Sequence, residues 1–102
     1  MKKQIVIIGG GASGLMAGIT AAKKGAVVTI LEAADKPGKK LLATGNGRCN
    51  FTNVLQDKSC YRGSANDLAM NVVNQFSVSD TLMFFSKLGI YSKNRNGWMY
   101  PT

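Results

Sequence analysis

A chain of 102 residues holds one small domain and excludes any organisation that needs two complete ones. Its 45% hydrophobic and 18% charged content, punctuated by 12 glycines, is that of a folding chain rather than a disordered one. The 13 Lys+Arg against 5 Asp+Glu leave +8, yet the cations fall in pairs and singletons with no basic helix face and no aromatic-interleaved stripe, so no nucleic-acid partner is expected.

Residues 5–8 are an unbroken apolar, β-branched run, which predicts a strand covered on both faces, as in a parallel sheet. Gly9, Gly10 and Gly11 turn the chain. Helical spacing of Leu15, Ile19 and Ala22 then predicts a helix to Lys24, with Lys23 and Lys24 complementing its dipole and Gly25 as a left-handed cap. A second β-branched run, 27–31, ends at Glu32. The first thirty-two residues thus read strand, helix, strand, with the strands parallel.

Periodicity disappears from 33 to 60, where Pro37, Gly38, Gly45, Gly47 and several asparagines gather. A segment that long and irregular, also carrying Lys39, Lys40 and Arg48, is expected to be ordered by a ligand. Ser64 to Asp67 has the pattern of a capping box ahead of a helix presenting Leu68, Val72, Val73 and Phe76. Ser77 and Asp80 signal a second helix, presenting Val78, Leu82, Phe85 and Leu88 and stopped by Gly89. Residues 90–93 and 98–100 are expected as short strands of a hairpin joined through 94–97. Trp98, Tyr100 and the phenylalanines are read as core.

The chemistry concentrates at Gly9-x-Gly11-x-x-Gly14. Glycines in such a spacing are common, but these follow a strand, open a helix and precede an acidic residue, Glu32, at the end of the second strand. Gly9 permits the tight turn, Gly11 removes the side chain that would strike a pyrophosphate, and Gly14 lets the helix pack closely. Gly18, one turn further, is explained if the helix backbone approaches the sheet there. The helix N-terminus supplies the anion site. Ser13 either reaches the pyrophosphate or caps the helix. Glu32 is placed to accept from ribose hydroxyls and would repel a 2′-phosphate, which favours FAD or NAD over NADP as the first dinucleotide.

The segment Lys39-Lys40-Leu41-Leu42-Ala43-Thr44-Gly45-Asn46-Gly47-Arg48-Cys49-Asn50-Phe51-Thr52-Asn53, together with the Gly97-Trp98-Met99-Tyr100-Pro101 run, resembles the bacterial HI0933-like, or BaiN-like, family of NAD(P)/FAD-dependent flavoproteins. Its members are several times longer. The resemblance implies that residues 1–102 are the N-terminal part of an FAD-binding domain whose remaining domains are absent here. It implies FAD along Gly9, Gly11, Ala12, Ser13 and Gly14, at Glu32, and along Lys40, Gly45, Arg48, Cys49, Asn50 and Asn53 beside the ribityl chain and flavin. It also implies two-electron transfer through the isoalloxazine, with NAD(P)H as co-substrate or a small organic donor such as an amine.

Cys49 and Cys60 are too few and too far apart for a disulfide framework, a redox pair or, without histidine, a metal site. No apolar stretch is long enough for a signal peptide or a membrane span, so a cytoplasmic protein with no membrane partner is expected. The fold class expected is α/β, a Rossmann-like FAD/NAD(P)-binding start followed by helices and a terminal hairpin, incomplete in this chain. The partners are a small-molecule substrate and the rest of the parent polypeptide, and the isolated chain is expected to be inactive. The competing reading is a non-catalytic NAD/FAD-binding regulatory module.

Overall fold

A computed structural model of the chain describes residues 2–43 and 49–102. It divides into two compact units, Met1–Gly47 and Arg48–Thr102.

The first unit runs β1 (Gln4–Ile8), α1 (Ala12–Lys23), β2 (Val27–Leu31) and a 3-10 turn (Leu41–Ala43). The two strands pair in parallel, Gln4 beside Val27 through Ile8 beside Leu31. A two-residue turn cannot join parallel strands, so α1 carries the crossover. It ends as its sequence predicts: Gly25, at φ +94°, donates to the Ala22 carbonyl at 3.0 Å and Ala26 to that of Ala21 at 3.1 Å, a Schellman closure.

Packing explains the glycine inside α1. A Cβ on Gly18 would stand 3.2 Å from Ile30 Cδ1, 3.4 Å from Val28 Cγ1 and 3.5 Å from Ile7 Cδ1. The helix backbone rests on the inward side chains of both strands, and that closeness offsets the ~1 kcal/mol by which glycine weakens a helix relative to alanine. The expectation of strands covered on both faces is not met. Along each strand half-buried residues alternate with exposed ones, leaving Val6 60%, Ile8 80%, Val27 49% and Leu31 51% exposed. Among the described residues of this unit there is one α-helix, and it covers one face.

The second unit contains β3 (Thr52–Asn53), a 3-10 turn (Lys58–Cys60), α2 (Asn66–Gln75), α3 (Val78–Lys87), β4 (Ser92–Arg95) and β5 (Trp98–Pro101). Its sheet is antiparallel in the order β3-β5-β4. The hairpin exists, but its turn contracts to Asn96 and Gly97, both at positive φ (54° and 92°). This is the geometry of a primed two-residue turn, and it shifts the strand before it two residues later than the expected 90–93. Asn94 Oδ1 accepts from the Gly97 N–H at 2.7 Å and fixes that choice. Strand β3 lies inside the segment expected to be irregular. It is two residues long and is built by pairing with β5 rather than by its own composition.

Both helices of this unit form, though with different starts. Ser77 Oγ accepts from the Asp80 N–H at 3.2 Å and Asp80 Oδ2 from the Ser77 N–H at 2.9 Å, a complete capping box. The box expected at Ser64 to Asp67 does not form. Ala65 is the N-cap, with no side-chain bond, and the Asp67 carboxylate pairs instead with Lys58 Nζ at 2.7 Å. The apolar stripe expected on this helix is also only partly enclosed: Val73 is half-buried, while Leu68 and Val72 are 64% and 61% exposed. Met99, 6% exposed, is the best enclosed apolar side chain among the described residues. Phe51, Phe84 and Phe85 form the aromatic cluster, with centroids 5.0 Å apart for Phe51–Phe85 and 5.2 Å for Phe84–Phe85. Trp98, read from sequence as core, is half exposed.

Candidate dinucleotide-binding site

The turn between β1 and α1 is held by main-chain bonds that leave its outer side open. Gly9, at φ +100°, donates to the Leu31 carbonyl at 2.8 Å and ties the ends of the two strands together. Few residues other than glycine adopt that φ. Gly14 is required for a different reason: a Cβ there would collide with the Gly9 carbonyl oxygen. The helix therefore begins hard against the turn it leaves.

Gly11 is the opposite case. Nothing lies within 4 Å of where its Cβ would be. It is the N-cap of α1, and having no side chain it makes no capping bond. The first helical bond runs from the Leu15 N–H to the Gly11 carbonyl at 2.9 Å, so the N–H groups of Ala12, Ser13 and Gly14 have no acceptor among the described residues. No acidic side chain occupies the first turn. Three outward N–H groups, the positive end of a twelve-residue helix and open space at Gly11 make a cradle for an anion. Ser13 is exposed and is not the cap, which removes one of its two sequence readings and leaves its hydroxyl beside the cradle.

Glu32, one residue beyond β2, faces the turn. Its Oε1 accepts from the Gly10 N–H and its Oε2 from the Ala34 N–H, each at 2.8 Å. The Ala34 and Gly10 bonds, in that order, hold its pKa below the ordinary carboxylate value, against a smaller opposing effect of desolvation. The group is therefore an anion at neutral pH. A carboxylate has about four lone-pair sites, of which two are taken.

Gly10 is the residue that the sequence reading missed. It is buried, and a Cβ on it would stand 2.9 Å from Pro37 Cβ and 3.3 Å from Glu32 Oε1. Its carbonyl accepts from the Gly38 N–H at 2.7 Å. The chain after β2 thus folds back onto the glycine turn, and Gly10 is its seat. The signal was present as a third consecutive glycine, more than the fingerprint needs, and as Pro37-Gly38.

The other expected site residues are distributed as follows. Lys40 is exposed, and its carbonyl accepts from the Ala43 N–H at 3.1 Å; neighbouring Lys39 pairs with Asp35 at 3.0 Å. Gly45 and Arg48 lie outside the described residues. Cys49, Asn50 and Asn53 belong to the second unit. Cys49 is exposed with its backbone at φ 56°, and both it and Cys60 are free thiols. In the amide orientation that its neighbours require, the Asn50 nitrogen donates to the carbonyls of Thr52 at 3.0 Å and Met99 at 3.1 Å. Asn53 Oδ1 accepts from the Leu55 N–H at 2.8 Å. Among the described residues no group of side chains could hold a metal ion, and no helix is long and apolar enough to cross a membrane.

Comparison with known proteins accords with this architecture. Residues 3–102 match the family model described as the HI0933-like protein Rossmann domain. The chain is 53% identical over 100 residues to the 3-dehydro-bile acid delta(4,6)-reductase of Clostridium scindens, covering 96% of this chain and 24% of that protein. It is 33% identical over 85 residues to the ribosomal RNA dihydrouridine synthase of Escherichia coli, covering 83% and 21%. Its identity to the Haemophilus influenzae protein of the same name is 30% over 96 residues, covering 93% and 24%. The chain spans about a quarter of the length of these curated relatives. A parallel strand–helix–strand start bearing the glycine turn, and a family match over nearly every residue, make this chain a member of the HI0933-like Rossmann-domain family.

Proposed function

We propose that this chain is the N-terminal FAD-binding portion of a flavin-dependent reductase. The observation that carries the proposal is the open cradle at Gly11 to Gly14 with the Glu32 carboxylate anchored beside it. The N–H groups of Ala12, Ser13 and Gly14 would donate to the pyrophosphate, and the free lone pairs of Glu32 would accept from the adenosine ribose. That anion, already fixed by the Gly10 and Ala34 amides, would disfavour a dinucleotide with a 2′-phosphate. Lys40, in the same unit, would lie along the remainder of the cofactor.

When bound, the flavin supplies two-electron redox chemistry that no side chain has. The names of the relatives narrow the reaction class. One removes delta(4,6) unsaturation from a 3-dehydro-bile acid, and the others form dihydrouridine in RNA. Both chemistries amount to saturating a carbon–carbon double bond in conjugation with a carbonyl, a hydride equivalent and a proton being added across it. The electrons would come from a reduced nicotinamide, which leaves oxidised. Reductive chemistry of this kind favours NAD(P)H over an amine as donor. The substrate-selecting groups are assigned to the rest of the polypeptide, so the 102-residue chain alone would bind cofactor but turn over little.

The test is an absorbance spectrum of the purified protein followed by parallel titrations with FAD and NAD+. Visible flavin absorbance, and FAD binding at least tenfold tighter than NAD+, are expected. Tighter binding of NAD+ would establish the regulatory-module reading instead.

A further inference from the structure

Pairing in the terminal hairpin assembles a surface that the linear sequence conceals. Lys93 lies opposite Tyr100 and Arg95 opposite Trp98 in the β4–β5 register. Side chains two apart on a strand share a face, as do directly paired residues, so these four stand together on one side of the sheet. Met99, between the two aromatics, points the other way and is buried. Lys93, Arg95 and Tyr100, with Pro101, line an open depression of about 410 Å³. Trp98 adds a half-exposed indole at the end of the row.

The cations of this face have no acidic partner among the described residues. The chain has 5 acidic residues, and all are engaged elsewhere: Glu32 with Gly10, Asp35 with Lys39, Asp57 with Ser59, Asp67 with Lys58 and Asp80 with Ser77. Among the described residues neither Lys93 nor Arg95 has an ion-pair partner. Two free cations spaced about 6.8 Å apart along one strand, beside two aromatic rings on the next, match what an extended polyanion carrying planar groups requires. A smooth polyanion would use the cations alone; an apolar partner would use the rings alone.

We infer that the Lys93, Arg95, Trp98, Tyr100 face binds single-stranded nucleic acid, phosphates on the cations and bases stacked on the rings. The basis for expecting no such partner was the absence of an aromatic-interleaved stripe in the linear order; cross-strand register supplies one. This surface is distinct from the glycine turn and does not depend on flavin binding.

Trp98 is the only tryptophan in the chain and reports on the face directly. Titration with a twelve-nucleotide oligouridylate should quench its fluorescence, with affinity falling as salt rises. The Lys93→Gln/Arg95→Gln double variant, checked for folding by circular dichroism, should bind at least tenfold more weakly. Its plot of log affinity against log salt should be shallower by about 1.4, the change for two lost contacts to a single strand at about 0.7 each. Trp98→Leu, followed by anisotropy of a labelled oligonucleotide, should bind about tenfold more weakly through lost stacking. Oligonucleotide binding without Trp98 quenching, or with full affinity in the double variant, would overturn the inference by moving the contact elsewhere. Equal quenching by an abasic oligomer, by a duplex or by uridine monophosphate would also overturn it, assigning the face to phosphate alone or to a free nucleotide.

Discussion

The Glu32 carboxylate closes on the Gly10 N–H at 2.8 Å across 22 positions of chain. The same carboxylate holds the Ala34 N–H, so one anion fixes the glycine turn and the first residues after β2. The acid that the fingerprint assigns to a ribose is therefore also a structural clamp, and its two duties can be separated by experiment.

Replacing Glu32 by glutamine removes the anion and presents an NH2 to one of two N–H donors. Flavin affinity should fall about tenfold or more, since a charge-assisted acceptor is lost. The pH dependence follows from the direction of the shift. The folded-state pKa lies below the ordinary value of 4.5. The clamp thus stabilises fully above 4.5 and is lost as pH falls through the lowered folded value. Denaturant midpoints of the parent should drop toward those of Glu32→Gln on acidification below 4.5, the two differing most at neutral pH. A constant gap between them at every pH would refute the clamp.

Gly14→Ala tests the close start of α1. The added methyl would collide with the Gly9 carbonyl oxygen, main chain that cannot rotate away as a side chain could. A loss of about 3 kcal/mol or more is expected, at or beyond the upper end of ordinary overpacking. Chemical denaturation would measure it, and a stability within error of the parent would show that the turn relaxes.

What could be read in advance follows from where the determining interactions lie. The β1–α1–β2 unit is specified by neighbours in sequence: a β-branched run, a glycine turn, a helical stripe ending at Lys23, and Gly25. β2 accordingly begins and ends at the residues expected, Val27 and Leu31. The roles of Gly9, Gly14 and Gly18 were legible for the same reason. Strand β3 was not, because Thr52 and Asn53 become a strand only through partners some 45 positions later, Met99 and Trp98. Gly10 escaped because its partner, Pro37, is likewise remote. The Ser64 pattern misled because a motif states what a side chain can do, whereas Asp67 had a stronger option in Lys58.

That contrast gives a paired test of capping. Ser77→Ala removes the acceptor for the Asp80 N–H and should cost about 1 kcal/mol. For a domain of this size the melting temperature should fall by about 4–8 °C. Ser64→Ala touches a serine that caps nothing and should stay within about 0.5 kcal/mol of the parent. Equal effects at the two positions in thermal melts would contradict the assignment of the box to α3.

Gly11 offers a way to separate cofactor binding from folding. Its backbone sits at φ −81°, which an alanine adopts without strain, and nothing stands within 4 Å of the new Cβ. Gly11→Ala should therefore leave the circular dichroism of the cofactor-free chain unchanged and cost no more than the ~1 kcal/mol of replacing glycine by alanine at an N-cap. The methyl would nonetheless project into the space the pyrophosphate is proposed to fill, so FAD affinity should drop by about tenfold or more, with Gly11→Val worse. Titration of both variants with FAD, beside thermal melts without it, checks the two halves. A variant that stays folded and binds FAD as tightly as the parent would remove the anion cradle from this turn.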